Sequence, residues 1–116
     1  SVEEDAEIED WYSDCAGFAA EVRRNWRRLF TNTDRVNFSQ IQSEMSLLEG
    51  EISRHASEGE GLGASDEVIA ALDGLSRECS RLTDYPITTD AESDFREWRD
   101  DILDQVEKLE DSLADN

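Results

Sequence analysis

Residues 38–57 read FSQIQSEMSLLEGEISRHAS, and in them Phe38, Ile41, Met45, Leu48, Ile52 and His55 recur at steps of 3, 4, 3, 4 and 3. Such spacing keeps all six side chains on one face of an α-helix, whereas a strand would alternate at every second residue. A helix with one apolar stripe must bury it against another element. Ser39 followed by Gln42 has the form of a capping box and predicts the helix start. The segment SEGEGLGAS, Ser57–Ser65, is expected to be the longest loop. Its Gly59, Gly61 and Gly63 disfavour a continuing helix, because glycine loses the most backbone freedom on ordering.

The same period recurs on both sides. A first helix is expected from about Glu4 to Phe30, with Ile8, Trp11, Cys15, Phe18, Val22, Trp26 and Leu29 inward. The polar stretch TNTD, Thr31–Asp34, breaks it by offering the backbone competing hydrogen bonds. A third helix runs from about Asp66 to Tyr85, with Ser65 as its cap and Val68, Leu72, Leu75, Cys79 and Leu82 inward. Pro86 stops it, and ITTD links it to a fourth helix that Thr89 and Glu92 open as a capping box. Phe95, Trp98, Ile102, Val106, Leu109 and Leu113 form the last stripe. No segment alternates long enough to predict a strand. The reading is all-α: an antiparallel four-helix bundle in one domain, residues 1–116, with helices 1–2 and 3–4 paired across short links.

Composition adds the solvent. The chain of 116 residues carries 30 Asp and Glu against 11 Lys and Arg, a formal net charge of -19. The basic residues are ten Arg and the single Lys108. So acidic a surface with almost no lysine resembles the proteins of extreme halophiles, the haloarchaea especially, in composition alone. That resemblance implies a surface dressed with hydrated cations. Near 1 M salt the Debye length is about 3 Å and like charges hardly interact, whereas dilute buffer leaves the surface self-repelling. An acidic mesophilic protein and a nucleic-acid mimic are the alternatives. No run of about 20 apolar residues is present to span a bilayer. A cytoplasmic location is expected, with a trimmed extracytoplasmic domain as the alternative. In that second setting Cys15 and Cys79 would be open to bridging; otherwise they read as buried core thiols.

Catalytic patterns are weak. The only histidine, His55, falls on the second stripe one turn after Glu51, and Ile52 stands where a Glu-x-x-His metal motif needs its acid. It reads as a core histidine near a helix end. The pairs Glu7/Asp10, Asp101/Asp104 and Glu107/Glu110 have the spacing of the magnesium-holding motifs in helical nucleotide pyrophosphatases of the MazG type. A chain this acidic produces such pairs by chance, and no basic residue is arranged beside them for phosphate. The cysteines have no base in reach, and GEGLG lacks the Lys-Ser/Thr of a phosphate loop. No cofactor, metal or catalytic residue is assigned. A divalent-metal-dependent helical phosphohydrolase is kept as an alternative.

What remains is RRNWRR, Arg23–Arg28, which gathers four of the eleven basic residues. At about 100° per residue, Trp26 falls beside Val22 on the inner face, while Arg23, Arg24, Arg27 and Arg28 cover the side away from it. Arg23, Arg24, Arg27 and Arg28 are therefore the candidate partner-binding residues, since the arginine fork takes carboxylates bidentately. Internal pairing with Asp14, Glu21, Asp100 or Asp101 is the structural counterpart. The expected function is non-enzymatic: an interaction or self-association module of a halophile, meeting an acidic protein surface or a second copy. Trp11, Tyr12 and Trp98 are weighed as interface aromatics against plain core residues. A nucleic-acid-associated regulatory protein is the other alternative, opposed by the overall negative field.

Overall fold

A computed structural model describes residues 2–31, 35–84 and 92–115. They form four helices, α1 (Val2–Thr31), α2 (Arg35–Leu62), α3 (Asp66–Thr83) and α4 (Glu92–Ala114). The helices pack as a ring: α1 on α2, α2 on α3, α3 on α4, and α4 back on α1. The result is the expected four-helix bundle, 55 Å long and about 20 Å across. The TNTD break at 32–34, Pro86 with the ITTD link, the Thr89 half of the last capping box and the Phe95 side chain lie outside the described residues.

The stripes fill one core. Trp11, Cys15, Val22 and Leu29 of α1 meet Ile41, Met45, Leu48 and Ile52 of α2, Val68, Leu72, Leu75, Cys79 and Leu82 of α3, and Trp98, Ile102, Val106 and Leu109 of α4, all buried. Ile8, Tyr12, Phe18, Trp26, Phe38 and Leu113 are half-buried against that cluster. Each fully buried aliphatic side chain contributes roughly 1.5–3 kcal/mol of transfer free energy. Trp11 and Trp98 are 3% and 0% exposed, so both are core residues and not an interface. The Trp98 indole N–H donates to the Glu78 carbonyl at 2.7 Å, which ties α4 to α3.

Two sequence expectations are corrected at α2. Ser39 does not open the helix, which begins at Arg35. One turn inside it, Ser43 Oγ donates to the Ser39 carbonyl at 3.2 Å. Gln42 reaches across instead and donates its amide N–H to the Leu82 carbonyl near the end of α3 at 3.0 Å. The glycine segment is not a long loop either. The helix continues through Gly59 and Gly61 to Leu62 and only Gly63 terminates it, with φ +74. Ala64 N–H donates to the Gly59 carbonyl at 2.9 Å and Gly63 N–H to the Glu60 carbonyl at 3.3 Å. This paired closure is a Schellman motif, and it needs a left-handed residue, which glycine supplies without a Cβ penalty.

The reason the helix carries glycine before its end is packing. Gly59 is buried, and a Cβ built on it would overlap the six-membered ring of Trp11. The indole packs against the helix at Gly59, where any other residue would hold it off. Burial of that ring outweighs the glycine penalty, about 1 kcal/mol for each such residue in a helix. The α2–α3 turn then shrinks to Gly63, Ala64 and Ser65. Ser65 makes no side-chain cap bond; its backbone N–H donates to the Tyr12 hydroxyl at 2.8 Å instead.

Candidate functional site

The arginine stretch lies in the last three turns of α1, between α2 on one side and α4 on the other. Its centre is not exposed. Asn25 is 2% exposed, with its amide N–H directed at Met45 Sδ (3.8 Å) and its carbonyl oxygen accepting from Arg28 (3.0 Å). Trp26 is half-buried, and its indole N–H donates to the Arg99 carbonyl of α4 at 3.1 Å. The buried polar residue in this stretch was not anticipated, because asparagine carries no apolar signal. Only its place one turn after Val22 pointed inward.

The four arginines divide. Arg23 reaches α4 and pairs with Glu110. Arg28 reaches α2 and pairs with Glu44 at 2.6 Å. Arg24 and Arg27 are exposed; the Arg24 side chain is 68% accessible and has Glu21 one turn back at 3.9 Å. Of the anticipated internal partners, Glu21 is thus the loose one. Asp101 belongs to Arg81, which also holds Glu78, at 2.8 and 2.7 Å. Asp100 lies 3.8 Å from its neighbour Arg99. Of these pairs, Arg23–Glu110, Arg28–Glu44 and Arg81–Asp101 tie neighbouring helices together, but each stabilises by less than about 1 kcal/mol.

His55 is a packing residue within α2, not at its end, since the helix runs on to Leu62. It is 8% exposed and stacks on Trp11 at 4.8 Å with the rings 4° from parallel. Two hydrogen bonds cross between α1 and α2. Trp11 Nε1–H donates to the His55 carbonyl at 2.8 Å, and His55 Nε2 lies 2.9 Å from the Trp11 carbonyl. A carbonyl only accepts, so Nε2 carries the proton. Nδ1 then faces Glu58 at 3.8 Å. Glu51, the candidate co-ligand, is exposed and not among these contacts.

The remaining reactive groups are also committed to structure. Cys15 and Cys79 are free thiols, each 0% exposed. Burial, with Asp14 beside the first and Glu49 and Glu78 near the second, pushes both up to about 12. A thiol held protonated is neither a nucleophile nor a metal ligand. Of the acidic pairs, Glu110 is engaged by Arg23 and Asp101 by Arg81. Among the described residues no three His, Cys, Asp or Glu side chains are grouped to hold a metal ion. Among them, too, no helix is long and apolar enough to cross a membrane. Comparison of the chain with family models, curated proteins and solved structures gives no match.

Proposed function

We propose that this protein works by association in a molar-salt solvent, with the outward face of α1 meeting an acidic protein surface. The observation that carries the reading is the division within the stretch. Arg23 and Arg28 pair with Glu110 and Glu44 across helix boundaries, while Arg24 and Arg27, one turn apart, are the exposed members of the stretch. The two tethered residues brace the helix. The two outward ones present planar donors for carboxylates. The halophile reading rests on composition, 30 acidic residues and one lysine. It also makes the chemistry consistent. At net charge -19 an acidic partner is repelled in dilute buffer. Molar salt removes that long-range repulsion yet leaves short bidentate contacts in place.

The sign of the salt effect separates partner classes. Binding to an acidic protein surface strengthens as salt rises, whereas nucleic-acid binding weakens steeply through counterion release. Sedimentation velocity in 2 M potassium chloride, with the chain alone and mixed with poly-L-glutamate, reads self-association and acidic-partner binding together. Arg24→Glu with Arg27→Glu should weaken either association about tenfold, near 1.4 kcal/mol, with circular dichroism confirming that the variant keeps its helical fold. Association that survives the double substitution refutes the surface. The same cell contents at falling salt test the solvent reading: helicity should drop below roughly 0.5 M, where screening weakens. Equal stability in dilute buffer would count against a halophile.

A further inference from the structure

A second cationic feature lies on the α3–α4 edge, away from α1. An open cleft of about 460 Å³ runs there between the two helices. Its volume is that of small-molecule sites. Ala71 and Gly74 of α3 form part of the floor, and Gln105 of α4 lies on Gly74 so closely that a Cβ there would overlap the carboxamide oxygen. Arg77 and Lys108, the only lysine of the chain, line the same cleft. The Arg77 guanidinium comes within 3.8 Å of the point above Gly74 where that Cβ would stand.

Among the described residues these donors have no acceptor. Arg23, Arg28 and Arg81 each hold a carboxylate across a helix boundary. Arg77 and Lys108 make no ion pair with any described residue, and the Gln105 side chain makes no hydrogen bond to one. In a chain with 30 carboxylates, two cations and an amide that line one cleft without an ion pair or side-chain hydrogen bond to a described residue leave room for an acceptor from outside. Glu67 and Asp111 line the cleft as well. Their charge sets a limit on the ligand: repulsion grows with the number of charges laid along that wall, so a long polyanion is opposed more than a small anion seated on the two cations.

We propose that the α3–α4 cleft binds a small oxyanion, a carboxylate or a phosphate, held by Arg77 and Lys108 with the Gln105 amide as third donor. The site is independent of the association proposed for α1. Its test is a ¹H–¹⁵N NMR titration of the full chain at pH 7 and fixed ionic strength. Inorganic phosphate is added in one series and succinate in another. Binding should give saturable shifts confined to the Arg77 Nε–H, the Gln105 amide and the Lys108 region. Whichever anion saturates the site identifies the ligand class. Arg77→Gln with Lys108→Gln should weaken binding by about tenfold or more, while Arg54→Gln, an exposed residue of α2 outside the cleft, should leave it unchanged. The dispersion of the same spectra shows that each variant is folded. Shifts that never saturate, that scatter over the surface, or that persist in the Arg77/Lys108 variant overturn the proposal.

Discussion

Gly59 and Gly61 stand two residues apart in the same helix, and alanine should affect them in opposite directions. Alanine at an ordinary helical glycine stabilises by about 0.5–1 kcal/mol, because the unfolded chain has less freedom to lose. Gly61 has open space where its Cβ would go, so Gly61→Ala should gain that amount. At Gly59 the new methyl meets the Trp11 ring, which is itself clamped by the His55 stack and by its N–H bond to the His55 carbonyl. Overpacking a filled core costs about 1–3 kcal/mol. If the indole retreats, the lost hydrogen bond adds about 1 kcal/mol. After the propensity gain is subtracted, Gly59→Ala should destabilise by about 1–3 kcal/mol. For a chain of this size each kcal/mol corresponds to about 4 °C in melting temperature. Circular dichroism melts in molar salt, with tryptophan fluorescence to follow Trp11, would resolve a spread of this size. If Gly59→Ala proves as stabilising as Gly61→Ala, the close approach of Trp11 to α2 is wrong, and with it the explanation for the unbroken helix.

Two more tests follow from the same region and from the thiols. Ser65→Ala should be nearly neutral, since the serine makes no side-chain cap bond, although losing a working cap costs about 1 kcal/mol. Tyr12→Phe should cost about 1–2 kcal/mol, because it strips the acceptor from the Ser65 N–H; urea titrations of both variants would decide, and a reversed order would refute the assignment. Cys15 and Cys79 should resist iodoacetamide in the native state and react on unfolding. Their linkage has a definite sign. Up to pH 9 both states keep the thiol proton; above it the unfolded chain ionises while the folded one holds on until about 12. Stability should therefore fall between about pH 9 and 12, by roughly 1.4 kcal/mol per thiol per pH unit. Cys→Ser variants should flatten that part of the profile, and an unaltered slope would contradict the burial.

The helices were legible because their stripes are strict. Every inner position assigned to α3, from Val68 to Leu82, is buried, and so is each from Ile41 to His55 in α2. The departures share one cause: at these positions tertiary contact overrides local propensity. Ser39 and Gln42 have the form of a cap, but Gln42 finds the Leu82 carbonyl on another helix. Three glycines look like a loop, yet one of them makes space for an aromatic ring distant in sequence. Nothing near Gly59 in the sequence reveals Trp11, 48 positions earlier. Gly63 alone was readable by rule, as the left-handed residue after a helix. The cleft donors were invisible for a similar reason: Arg77, Gln105 and Lys108 belong together only once α3 lies beside α4.

The arginine stretch shows what a charge cluster means on so acidic a bundle. Arg23 and Arg28 are five positions apart, which at about 100° per residue places them on opposite flanks of the α1 stripe. A flank position faces the edge of a neighbouring helix. With 30 acidic residues on the chain, those edges are rich in carboxylates, and the two flank arginines find Glu110 and Glu44. Their pairing is thus the expected outcome of composition and carries little information about a partner. Arg24 and Arg27 lie between them on the outward arc, and both are exposed. A random scatter of cations on this surface would be neutralised one by one at helix boundaries. Arg24 and Arg27 are the exposed members of the stretch, whereas Arg23 and Arg28 are partly covered, and for that reason the contact surface is assigned to the outward pair and not to all four arginines.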